Sequence, residues 1–158
     1  MKGNNGLNKG FYARNAEMED VQAAVDLFNR VSQHYLGINE ADPESIGTEW
    51  EAPGFSPGED ILLVFDPDNT LVGYVEVWSN ATPPVHPYVW ARVDPEFEKD
   101  GIGEYLLGWG EERAREAIDR CPENTRVAMR SAANARMDYL KDLLQRWGME
   151  GIRHSFRM

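Results

Sequence analysis

Trp90-Ala91-Arg92-Val93-Asp94-Pro95-Glu96-Phe97-Glu98-Lys99-Asp100-Gly101-Ile102-Gly103 runs from a β-type stretch, through a turn, into a glycine pair that opens a helix. Upstream, Tyr88 to Val93 reads as a strand that Asp94-Pro95 ends. Downstream, Ile102, Leu106, Gly110, Ala114 and Ile118 step by four, and Cys121-Pro122 stops the pattern. A glycine turn feeding a helix exposes successive backbone N–H groups with the positive end of the helix dipole behind them, which suits a phosphate. The loop is not a Walker A loop, since no Lys-Ser/Thr pair follows. It is not the dinucleotide fingerprint either, whose third glycine falls at Leu106. On these residues alone a ligand-free strand-to-helix connection is the simpler alternative.

Working outward, Val21, Ala24, Val25, Phe28 and Val31 make one helical stripe reaching Ser32 or Tyr35, with Asn15 as the expected N-cap. Gly10 to Arg14 is a short strand before it. Gly37 to Asp60 is rich in Pro, Gly and acids and reads as a long connector, with Asp42-Pro43 opening a short helix. Ile61 to Phe65 and Leu71 to Trp78 flank a Pro/Asp/Asn turn and form a hairpin. Thr125 to Arg130 is a further strand. Ser131 is expected to cap a helix carrying Met137, Leu140, Leu143, Leu144 and Trp147, which Gly148 ends, and Ile152 to Met158 closes the chain as a strand. The order predicts an α/β domain, residues 1–158, with one mixed sheet and helices packed on it.

The chain has 158 residues and a formal charge of −11, which argues against a nucleic-acid partner because phosphate contacts need a basic face. A single Cys121 leaves no internal disulfide and suits a reducing cytoplasm. The first residues lack the apolar stretch of a signal peptide, and no run reaches the roughly eighteen apolar residues of a membrane span. His34, His86 and His154 lie in unrelated segments, so no metal site is expected.

The quoted stretch resembles motif A of the GNAT acyltransferase superfamily, in which a strand ends in Val-x-Pro-x-Tyr/Phe and a Gln/Arg-x-x-Gly-x-Gly/Ala loop leads into a long helix. Arg14 to Val31 resembles the family's opening strand and helix. Leu71-Val72-Gly73-Tyr74 resembles its central hairpin, and Asn134 to Met149 its last helix. Trp50-Glu51-Ala52-Pro53-Gly54-Phe55 and the closing Arg153 to Met158 are similar to the N-terminal halves of tandem-GNAT bacterial proteins of the mycothiol synthase type.

The resemblance implies a mixed, mostly antiparallel sheet flanked by helices on both faces, with acetyl-CoA as cosubstrate and a small amine as acceptor. Backbone groups of Ala91, Arg92 and Val93 would pair with the pantetheine arm. Those of Glu98, Lys99, Asp100, Gly101, Ile102, Gly103 and Glu104 would hold the pyrophosphate, and the amine would attack the thioester directly. Glu98 stands at the family's Gln/Arg position, and Glu98 and Asp100 set carboxylates beside the diphosphate. Pro87 and Leu144 occupy the places of the family's glutamate base and tyrosine acid, which leaves Glu76, His86 and Tyr139 as catalytic candidates. Met158 falls where the family continues into another strand, so a missing last strand, a C-terminal GNAT half or a homodimer is expected. An inactive CoA-binding or structural half remains the alternative.

Overall fold

Ile61 to Phe65 are buried without exception, as a strand covered on both faces requires. The structure, a computed structural model, describes residues 6–151. Four strands form one sheet in the order β1 (Tyr12–Asn15), β2 (Ile61–Phe65), β3 (Leu71–Trp78) and β4 (Tyr88–Val93). Every neighbouring pair is antiparallel, with Leu62 opposite Val75 and Glu76 opposite Trp90. The β2–β3 turn is fixed by Asp66, whose Oδ1 accepts the N–H groups of Asp68 and Thr70 at 2.9 Å each. Asn69, in the left-handed region, completes it.

Among the described residues, the parallel part of the expected mixed, mostly antiparallel sheet is one bridge, between Tyr88 and Arg130. Thr125 to Arg130 does not form the expected strand. It donates from Ala128 N to Val85 O and from Arg130 N to Pro87 O, both at 2.9 Å, and accepts Val89 N at Arg130 O at 2.8 Å. Pro87 has no N–H to return, so the ladder cannot propagate through it. The expected strand at Ile152 to Met158 lies outside the described residues.

Helices cover both faces. α1 (Val21–Leu36) and α2 (Pro43–Trp50) pack on one side, where Tyr74 meets Phe28 edge-on at 4.7 Å and stacks near Trp50 at 6.4 Å. α4 (Ile102–Arg115) lies against the other, where Gly73 faces Ile102 and Leu106. Asn15 is not the cap of α1: it ends β1, donates from Nδ2 to Ile61 O at 2.8 Å, and leaves the helix start to a capping box between Glu17 and Asp20. Asp42 caps α2 as expected, accepting Ser45 N. The expected long connector also holds a single turn, α3 (Pro57–Asp60).

After Arg115 the chain tightens into a 3-10 turn over Glu116–Arg120. Three residues per turn bring Ala117 into the core and turn Ile118 out to 49% exposure, so the four-residue stripe ends at Ala114. Ser131 is not a cap. α5 (Asp138–Arg146) begins seven residues later, after Asn134 Oδ1 accepts Arg136 N. It ends as expected at Gly148, with Gly148 N on Gln145 O and Met149 N on Leu144 O.

Candidate functional site

The register of β4 decides what its outer edge offers. Asp94 N donates to Val72 O and Val89 N to Arg130 O, both at 2.8 Å. The alternation of an antiparallel ladder then turns the N–H and C=O groups of Ala91 and Val93 away from β3. Arg130 takes this edge at Val89 but goes no further. Beyond it, the first turn of α5 lies against the edge, and a cavity of about 10 Å3 remains between Val31, Tyr35, Ala91, Arg92, Val93, Glu98, Met137, Tyr139 and Leu140. Such a void holds at most a single water.

At the end of β4 the chain turns through Asp94, which accepts Glu96 N at 3.0 Å and Arg30 Nε at 2.8 Å. Gly101, at φ 76°, occupies a conformation open to glycine, and α4 starts at Ile102. The amides of Ile102, Gly103 and Glu104 are therefore first-turn donors with no partner inside their helix. Two carboxylates of this loop are tied down: Glu98 accepts the Tyr35 hydroxyl, and Asp100 accepts Asn8 Nδ2 at 3.2 Å. Lys99 is exposed.

Gly103 serves a different purpose from Gly101. A Cβ there would lie 2.6 Å from Leu143 Cδ2 and closer still to Tyr139 Oη, so a larger residue has to push these two side-chain ends of α5 aside. Tyr139 Oη is buried without a hydrogen-bond partner. Burial, then the carboxylates of Glu104 and Glu98, push the phenol up to about 12, so it holds its proton at neutral pH. Tyr35 is raised likewise, by burial and by Glu98.

On the α1 face, Glu76 accepts the Tyr74 hydroxyl at 2.7 Å and the Trp78 indole N–H. Burial raises its carboxyl above the ordinary range, against the pull of those two donors. Arg92, on the same face and only 7% exposed, donates from Nη1 to Ala91 O at 2.8 Å and lies 3.8 Å over the Trp90 ring. Its Nη2 stands 3.9 Å from Glu40 Oε1 and its Nε has no partner. Burial lowers this guanidinium to about 10.

The structure thus gathers Ala91, Arg92, Val93, Glu98, Gly103, Glu104 and Tyr139 around one seam. Glu76 stands farther along the sheet, opposite Trp90. Tyr139 sits at the start of α4 and not beside Glu76. His86 is exposed: Nδ1 meets Ala128 O at 3.3 Å and Nε2 meets Arg130 Nη2 at 3.2 Å. A guanidinium only donates, so Nε2 accepts and Nδ1 carries the hydrogen, and the lone pair a base would use is engaged. Tyr35 and the Arg92 side chain escaped the sequence reading, and Glu40 figured there only among the acids of the connector from Gly37 to Asp60. The available signal was a cation inside an otherwise apolar strand. No group of three His, Cys, Asp or Glu able to hold a metal ion occurs among the described residues, and none of their helices is long and apolar enough to cross a membrane.

Comparison with known proteins agrees with the fold. The chain is similar to a GCN5-related N-acetyltransferase from Sphaerobacter thermophilus, at 25% identity and a TM-score of 0.81 over 89% of this chain, and it spans 44% of that chain's length. An acetyltransferase structure from Salmonella typhimurium with its cofactor acetyl-CoA matches over 89% of this chain and 79% of its own, at 17% identity and a TM-score of 0.66. The diaminobutyrate acetyltransferase of Paenibacillus lautus, in complex with L-2,4-diaminobutyric acid and coenzyme A, matches over 90% of this chain and 75% of its own, at 12% identity and a TM-score of 0.61. No curated protein matches the sequence. The family model for the acetyltransferase (GNAT) family covers residues 21–138, three quarters of the sequence, and the chain belongs to that family.

Proposed function

We propose that residues 1–158 form a single cytoplasmic domain that transfers an acetyl group from acetyl-CoA to the amine of a small molecule by direct attack. The observation that carries this reading is the outward-facing backbone of Ala91 and Val93, followed after the turn through Asp94 and Gly101 by the first-turn amides of α4. An extended amide-bearing arm finds a strand edge there, and an anion finds a helix N-terminus at its end. For the arm to reach that edge, the first turn of α5 must move off β4, since about 10 Å3 of space accommodates no part of it.

In the reaction the amine nitrogen forms a bond to the thioester carbon, the C–S bond breaks, and the sulfur leaves as thiolate. The acceptor enters as an ammonium and must first lose a proton. Glu76, raised by burial, is the group suited to take it. Tyr139 retains the proton that a departing thiolate requires. His86 contributes no base while Arg130 holds its Nε2.

A second reading, an inactive acyl-CoA-binding or structural half of a tandem protein, is favoured by the closed seam and by Glu98 and Asp100 beside the diphosphate position. Calorimetric titration with acetyl-CoA separates the two. Binding accompanied by thiol release across an amine panel supports transfer, and binding without turnover leaves the second reading. No binding at millimolar ligand overturns both, and binding that survives replacement of Gly101 by a bulky residue in a folded chain overturns the placement of the pyrophosphate at the start of α4.

A further inference from the structure

Among the described residues, Arg92 is a buried guanidinium whose donors are only partly spent. One donor goes to Ala91 O, and Nε has no partner. The nearest carboxylate, Glu40, stands at 3.9 Å, well beyond the roughly 2.7–2.9 Å of a charge-assisted hydrogen bond. A buried cation left this incompletely paired is costly, and an anion that approached it more closely would offset that cost. Glu40 lies on the connection between α1 and α2, outside any helix or strand, and its carboxylate stands in for an anion that could approach the guanidinium more closely.

The surroundings say what else that anion carries. Glu76 pairs across the strands with Trp90, and Arg92 is its diagonal neighbour on the same face, about 7–8 Å away at Cα. Trp78, Tyr88 and Trp90 share this face and are half-buried, so it is not closed over. A cation-seeking carboxylate and an anion-seeking guanidinium stand on either side of an aromatic floor. A zwitterion satisfies both, and a simple amine satisfies only Glu76. We infer that Arg92 anchors a carboxylate on the acceptor, so that the acceptor is an amino acid and not a simple amine or polyamine. The inference rests on the acyl-transfer reading for its reaction, but the binding it asserts is measurable without transfer.

The test is calorimetric titration of the intact chain with the proteinogenic amino acids and with the decarboxylated partners of four of them: lysine with cadaverine, arginine with agmatine, tryptophan with tryptamine, tyrosine with tyramine. At least one amino acid binds, and its decarboxylated counterpart binds roughly a hundredfold more weakly. Arg92→Met, checked for fold by circular dichroism, abolishes that preference, and Arg92→Lys retains part of it. Glu40→Gln, which removes the resident carboxylate, tightens amino-acid binding several-fold. Equal binding of amino acid and amine, no binding of any amino acid at millimolar concentration, or an Arg92→Met variant that keeps the preference each overturn the assignment. If acetyl-CoA itself does not bind, the transfer reading falls while these titrations still decide the role of Arg92. If turnover occurs and amines serve as well as amino acids, the role of Arg92 falls and the transfer reading stands.

Discussion

Gly101 and Gly103 are two residues apart, and the structure gives them unrelated reasons to be glycine, which Gly101→Ala, Gly101→Asn and Gly103→Ala separate. At Gly101 nothing lies within 4 Å of a would-be Cβ, and the requirement is the backbone alone, at φ 76°. An L-residue there costs about 1–2 kcal/mol, and asparagine, which tolerates the left-handed region, costs less than alanine. At Gly103 the backbone is helical and the obstacle is space, with Leu143 Cδ2 at 2.6 Å and Tyr139 Oη closer. Overpacking of this kind costs about 1–3 kcal/mol, and at this chain length each kcal/mol moves Tm by about 2–4 °C. Tyr139→Phe removes the nearer obstacle and leaves Cζ at 3.3 Å and Leu143 in place, so it relieves the Gly103→Ala cost in part. Taken alone, Tyr139→Phe is neutral or stabilising, because the hydroxyl it deletes has no partner. The assay is a double-mutant cycle by calorimetric or urea unfolding. A Gly103→Ala chain as stable as the parent, a strictly additive Gly103→Ala/Tyr139→Phe pair, or a Gly101→Asn chain less stable than Gly101→Ala each refute the reasoning.

Glu98→Gln removes a carboxylate from the proposed diphosphate loop and keeps an oxygen for the Tyr35 hydroxyl. Two like charges at about 6 Å and an effective dielectric near 20 repel by about 3 kcal/mol before salt screens them, so acetyl-CoA binds roughly 3–10-fold more tightly by calorimetry at low salt. Unchanged affinity counts against that placement. Glu76 is raised in the folded chain, so that chain keeps a proton which the unfolded chain has released. Its contribution is fully present below the ordinary glutamate value of about 4.3 and is lost as pH rises through the elevated folded value. Glu76→Gln therefore flattens the fall of urea-unfolding stability with pH in that window, and an unaltered slope refutes the assignment. Arg113 donates to Asp60 Oδ1 from Nε at 3.0 Å and Nη2 at 2.8 Å, and the Asp60 side chain is 8% exposed. Arg113→Met leaves that carboxylate with the Ser56 N–H and destabilises by about 1–3 kcal/mol, read as a lower urea midpoint.

The elements most legible in the sequence were those whose residues meet only one environment. Ile61 to Phe65 is apolar at every position and becomes a strand covered on both faces. The stripe on α1 keeps its period because one surface, the sheet, receives it. Expectations failed where tertiary partners intervened. Asn15 has the chemistry of a cap, but Ile61 O claims its side chain. Thr125 to Arg130 has the composition of a strand, but its neighbour is Pro87. The helix after Ser131 begins late because an Asn134 turn takes up the chain first. In the site, the glycine loop and the β4 edge were readable as backbone features, since spacing along the chain fixes them. Arg92, Glu40 and Tyr35 were not, because their meaning lies in contacts spanning some fifty to sixty residues, such as Tyr35 with Glu98 and Arg92 with Glu40.

Arg92 Nε, Glu104 Oε1 and Tyr139 Oη are buried polar side-chain atoms left without partners, and they belong to residues of β4, the first turn of α4 and the first turn of α5. Each such atom costs about 1–3 kcal/mol. Against that cost stand the apolar contacts of Met137, Leu140 and Leu143, which hold α5 on the seam. The closed arrangement is therefore a balance of large opposing quantities, unlike the packing of α1 on β3, where Phe28 meets Tyr74, the Tyr74 hydroxyl donates to Glu76 and the Ser32 hydroxyl to Asn29 O. A ligand that brings amide, phosphate and carboxylate groups to this seam meets a protein whose own groups there lack partners. On the proposed reading, such a ligand would displace α5 where these unpartnered atoms cluster, and would supply hydrogen bonds that the chain by itself leaves unmade.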